Sequence, residues 1–168
     1  MKGLTTICSL FYIIVQTTGS DVINFSLPEN TVKLSTQQFT QFSKSKLKIS
    51  TLDNDTRAHY QNGDIILAFW DAVRPLFTER TLESKQKVSA SILKRTKKNA
   101  AIKRSEIITV NNIRYLIFQY EVNDSGKIIF NSDYYNDKNL RGELTYNFAD
   151  RDKANELLNQ ILNSSKLR

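Results

Sequence analysis

His59 is the single histidine of this 168-residue chain, and it stands in Arg57-Ala58-His59-Tyr60, shortly after Asp53 and Asp55. A Ser/His/Asp hydrolase could use such residues, because triads assemble from distant positions. No serine lies in a Gly-x-Ser-x-Gly elbow, so nothing marks a nucleophile. A surface-loop histidine explains the same residues more simply. Zinc is poorly served, since Cys8 is the only cysteine and carboxylates would have to complete the site. Asp53-Asn54-Asp55 opens like a calcium loop, but Arg57 and Ala58 fall where the third oxygen ligand and the glycine belong. Five dispersed glycines make no phosphate cradle. The residues therefore point to a cofactor-free, non-enzymatic domain. The alternative is an envelope hydrolase using His59 with a serine and a carboxylate.

The charged residues carry a stronger signal. The formal charge is +7, of which Lys2 supplies one. The excess concentrates between Arg80 and Arg104, where Arg80, Lys85, Lys87, Lys94, Arg95, Lys97, Lys98, Lys103 and Arg104 face only Glu83. Such a block either keeps a helix face solvated or meets phosphate, an anionic headgroup or an acidic protein. It contains no aromatic residue for base stacking, which argues against nucleic acid. Lys94, Arg95, Lys97, Lys98, Lys103 and Arg104 form the candidate patch for an anionic partner, either a protein or an envelope surface.

The N-terminus indicates where this chemistry takes place. Lys2 gives a positive start, Leu4 to Val15 is largely apolar, and Thr17 and Gly19 stand at −3 and −1 of a cut before Ser20. This is the layout of a secretory signal peptide over residues 1–19, too short to span a bilayer. Lipidation at Cys8 is the rival, but bulky Ile7 precedes the cysteine and most of the apolar run follows it. Residues 20–168 are then one exported domain, periplasmic or secreted, without a thiol and without a transmembrane stretch. Their size suits a single core.

The elements that must carry the charged block read as follows. Val22 to Leu27 alternates like a strand and stops at Pro28. Ser35 and Gln38 make a capping-box pattern for a short helix with Phe39 and Phe42 inward. Residues 50–63 are polar and turn-prone, and Ile65–Trp70 is an apolar strand covered on both faces, broken at Arg74-Pro75. A helix over Thr81–Lys97 should turn Leu82, Ser89, Ile92 and Leu93 inward, with Glu83 and Lys87 paired one turn apart outside. An antiparallel meander follows, with strands over 106–110, 114–122, 127–135 and 143–148. Its turns fall at Asn111-Asn112, at Asp124-Ser125-Gly126 and around Asn139 to Gly142. Its tyrosines serve either the core or an exposed binding surface. The spacing of Ala154, Leu157, Leu158, Ile161 and Leu162 predicts a closing helix capped at Asp150 or Asp152. The class is α+β, an antiparallel sheet flanked by helices.

Several segments in order carry a resemblance. They are Phe25-Ser26-Leu27-Pro28-Glu29, the hairpin Thr109-Val110-Asn111-Asn112-Ile113-Arg114-Tyr115, and the turn Ser125-Gly126-Lys127. Gly142-Glu143-Leu144-Thr145-Tyr146-Asn147-Phe148 and the helix end Ile161-Leu162-Asn163-Ser164-Ser165 complete the set. Together they resemble the Mog1/PsbP-like domains, including small exported bacterial members. The segment 43–63 has no counterpart. The resemblance implies an α/β/α sandwich and a binding or adaptor role, and it transfers no catalytic residue and no particular partner.

Overall fold

The computed structural model describes residues 17–47, 57–73 and 81–168. The residues 1–16, the Asp53-Asn54-Asp55 triplet, the Arg74-Pro75 break and Arg80 lie outside the described residues. Strand β1 (Thr17–Gly19) pairs with β2 (Ile23–Ser26), whose other edge takes β10 (Lys166–Leu167) at the chain's end. The main sheet has seven strands. They are β3 (Val32–Leu34), β4 (Ala58–Asn62), β5 (Ile65–Val73), β6 (Ala101–Val110), β7 (Ile113–Val122), β8 (Ser125–Ser132) and β9 (Lys138–Asn147). Their order is β3-β4-β5-β9-β8-β7-β6, with every pairing antiparallel.

The meander is thus real, and its asparagines set it. Asn111 and Asn112 both take positive φ, 51° and 63°, as a tight right-twisting hairpin requires. The next turn falls at Asn123-Asp124, with Asn123 at φ 53°, one residue earlier than the sequence reading placed it. The third turn is Asn136-Asp137, at 49° and 59°, and residues 139–142 belong to β9. Gly142 pairs with Phe69 of β5 and Phe130 of β8, and the position takes a glycine because the Phe130 ring occupies the space where a Cβ would stand. The polar segment 50–63 was also misjudged at its end, since Ala58–Asn62 forms β4 between β3 and β5. Tertiary pairing overrides weak local preference there.

The two faces of the sheet have different covers. Helix α3 (Arg151–Ser164) and β2 close one face over Ile65, Leu67, Ile113, Tyr115, Ile117, Ile128, Phe130, Leu144 and Tyr146. The five apolar residues of the predicted stripe in α3 are all buried in this core. On the other face, α1 (Thr36–Ser45) sits beside β3, and α2 (Leu82–Thr96) packs on β6 and β7. Ser35 caps α1 through a complete capping box with Gln38. Phe39, Leu47 and Ile66 form a small second core, with half-buried Phe42 against it. Thr81 caps α2, and Leu82 and Leu93 are buried as expected. Ile92 is 45% exposed, contrary to the inward assignment, because α2 touches the sheet along a narrow line. Glu83 pairs across to Arg114 of β7 at 2.5 Å rather than serving Lys87.

Candidate functional site

The basic block divides in two. Lys94 and Arg95 lie exposed in the last turn of α2, where the negative end of the helix dipole favours cations. Lys97 is the C-cap, its N–H bonded to the Leu93 carbonyl at 2.9 Å, and its ammonium stands 5.7 Å from the Tyr120 ring centroid. Exposed Lys98 follows in the turn that closes when Ala100 N–H reaches the Lys97 carbonyl. Among the described residues no carboxylate pairs with these four cations. Lys103 and Arg104 belong elsewhere. Lys103 reaches Glu121 at 3.3 Å, and Arg104 pairs with Glu106. A register irregularity between Ile102 and Arg104 sends these neighbours to separate carboxylates.

Beside the four cations is a pocket of about 570 Å³. Lys46 at the end of α1 and Lys97 stand in its wall with Leu47, and the β7–β8 turn supplies Asn123, Asp124 and Ser125. Asn147 in the same wall donates to the Lys46 carbonyl at 3.5 Å. Two lysines against one aspartate leave the mouth positive. The sequence reading missed this pocket because Lys46 and Asn123 are 77 positions apart, and only the sheet brings them together.

Glu121 is the most deeply buried carboxylate here, with a side chain 3% exposed. Burial alone would raise its pKa, yet hydrogen bonds from Arg151 and Lys103 outweigh this and hold it below the usual carboxylate range. Arg151 grips both its oxygens, at 2.5 and 2.7 Å, so the pair clamps the start of α3 onto β7. A second ion cluster, also unforeseen, sits on the opposite face. Glu143 of β9 is held by Lys127 at 2.5 Å and by Arg57 at 3.6 Å, and Arg57 lies 4.9 Å above the Trp70 ring. The alternation of Leu140, Leu144 and Tyr146 with Arg141, Glu143 and Thr145 was the available signal for it.

His59 is no surface-loop residue. It sits in β4, 5% exposed, with its ring stacked 3.6 Å from that of Phe39. No group of three or more metal-ligating side chains occurs among the described residues. No helix among them is long and apolar enough to cross a membrane. The tyrosines divide between core and surface: Tyr115 and Tyr146 are sealed against α3, whereas Tyr120, Tyr134 and Tyr135 are half-buried.

An antiparallel sheet between α3 on one face and α1 and α2 on the other is the PsbP-like α+β sandwich that the sequence resemblance implied. Its solved counterparts include cyanobacterial PsbP (CyanoP) from Synechocystis sp. PCC 6803, with a TM-score of 0.60. Identity is 10%, over 98% of this chain and 99% of that one. LpqN of Mycobacterium tuberculosis, a protein involved in cell envelope biogenesis, superposes with a TM-score of 0.53 at 6% identity, over 92% of this chain and 85% of that one. At such identities the likeness is one of fold. No protein-family model and no curated protein matches the sequence.

Proposed function

We propose that this chain is an exported, non-enzymatic binding domain that meets an acidic partner, a protein or the anionic envelope surface, through the basic end of α2. The observation that carries this reading is the group Lys94, Arg95, Lys97 and Lys98, four exposed cations with no carboxylate partner among the described residues, beside a pocket whose wall adds Lys46. Such a cluster raises the local concentration of anionic partners and speeds their encounter. The secretory layout of residues 1–19 supports export, and the envelope role of LpqN is in keeping with it. The hydrolase alternative has weaker support, since His59 lies under Phe39 where a substrate would have to displace α1 to reach it.

Capture from envelope extract of the native host tests the reading. With the protein as bait, a partner should be retained at about 0.1 M salt and released as salt rises several-fold, because exposed charges are screened over about 10 Å at 0.1 M and far less at higher salt. A partner held equally at both salts, or none at all, would move the interaction away from this surface.

A further inference from the structure

The outer side of α2 carries aliphatic residues that the sheet does not use. Leu82 and Leu93 turn to the sheet and are buried. Val88 and Ile92 stand one turn apart, 51% and 45% exposed, and Arg95 continues the same stripe three residues on. Ile102 adds a third aliphatic side chain, 38% exposed. It pairs across the sheet with Tyr120, the ring above which the Lys97 ammonium lies, so it borders the basic end of the helix. Lys87, Lys94, Arg95, Lys97 and Lys98 are exposed along the same stretch. The one acid of the helix, Glu83, lies at its other end and is held by Arg114 at 2.5 Å.

We propose that this surface docks on a bilayer of anionic phospholipid, with α2 lying in the plane of the headgroups. The proposal rests on the reading of the basic end of α2 as the contact surface and narrows its partner to a lipid one. Val88, Ile92 and Ile102 enter the headgroup layer, where the apolar side chains of an interfacial helix reach about 5–10 Å deep. The lysines meet lipid phosphates at the end of long apolar stems, which keeps each charge at the wet level while the aliphatic residues pack below. Every Lys or Arg held near an anionic leaflet adds to the attraction. An acidic protein fits these residues less well. Protein contact surfaces are poor in lysine and anchored by aromatic side chains in pockets. Here lysine dominates the cations, and residues 82–104 contain no aromatic residue.

Co-sedimentation with vesicles of equal parts phosphatidylglycerol and phosphatidylcholine tests this, with pure phosphatidylcholine vesicles as the control. The parent should bind the anionic vesicles and not the control. Val88→Ser and Ile92→Ser keep every charge, yet each should weaken binding several-fold, and both together about tenfold or more, because less apolar surface leaves water. Both side chains are exposed, so the melting temperatures should nearly match that of the parent. A doubly substituted protein that binds as tightly as the parent would overturn the proposal and leave the electrostatic reading of the basic end in place. A parent that ignores both kinds of vesicle but is held, in a salt-sensitive way, by a protein of envelope extract would overturn it in favour of an acidic protein. Equal binding to the two kinds of vesicle, or binding to neither vesicle nor extract, would overturn both the proposal and the electrostatic reading beneath it.

Discussion

Tyr115 shows how a single buried hydroxyl couples to pH. It is sealed between β7 and α3, and its hydroxyl approaches Ser165 without completing a hydrogen bond. Burial pushes its pKa up to about 12 from an ordinary 10.0. The native state therefore keeps the phenol neutral, whereas the unfolded chain ionises it near 10. The stability this represents is intact below pH 10 and is lost as pH rises from 10 to about 12, to the extent of about 2–3 kcal/mol. Tyr120, raised to about 12 by burial and the Glu143 charge, loses stability over the same range. Denaturant unfolding at a series of pH values should show Tyr115→Phe as stable as the parent at pH 7 and less sensitive above pH 10. A loss of about 2 kcal/mol at neutral pH would mean the hydroxyl is bonded after all.

Gly142 is a second residue-scale test. A Cβ there would stand 2.1 Å from the Phe130 ring, which is fully buried and has no room to yield. Gly142→Ala should destabilise by about 1–3 kcal/mol, the range for overpacking a core. An unchanged midpoint of chemical denaturation would show that the ring moves aside freely.

The elements differ in how far local sequence determines them. Helix α3 was legible because its stripe repeats at helical spacing, and all five of its residues are buried. The α1 cap was legible because a capping box is a contact between near neighbours. Strand β4 was not, since His59 and Tyr60 owe their burial to Phe39 of α1 on one face and to Phe69 of the hairpin partner β5 on the other, contacts that form only once helix and sheet pack together. The charged block shows the same limit: its four exposed cations could be read directly, but Lys103 and Arg104 are engaged by carboxylates of the sheet. At this scale Leu158→Asp should cost several kcal/mol, because an unpaired carboxylate would replace a fully buried leucine against the sheet. If that variant melts within a few degrees of the parent, α3 is not part of the core. Ser35→Ala should cost only about 1 kcal/mol, the usual effect of losing an N-cap, and a larger loss would mean that α1 anchors more than its own end.

The whole molecule combines a proposed route out of the cell with a charged face. Cleavage before Ser20 would remove β1, an edge strand, and leave β2 paired to β10. Ser20 would keep its own role, its hydroxyl accepting from the Val22 and Ile23 amides. Intact-mass analysis of protein from the native host should therefore find a chain beginning at or near Ser20 without lipid. A retained Met1 or a diacylglyceryl adduct on Cys8 would contradict this processing.

The central claim, that the basic end of α2 is the contact surface, is tested most directly by reversing Lys94, Arg95, Lys97 and Lys98 to Glu and measuring co-sedimentation with anionic vesicles across a salt series. The parent should bind steeply less as salt rises, and the reversed protein should bind weakly at every salt. Their melting temperatures should nearly coincide, because exposed charges without partners contribute little to stability. Equal binding by the two proteins, or binding that ignores salt and survives the reversal, would contradict the account and shift attention to the half-buried tyrosines of the sheet.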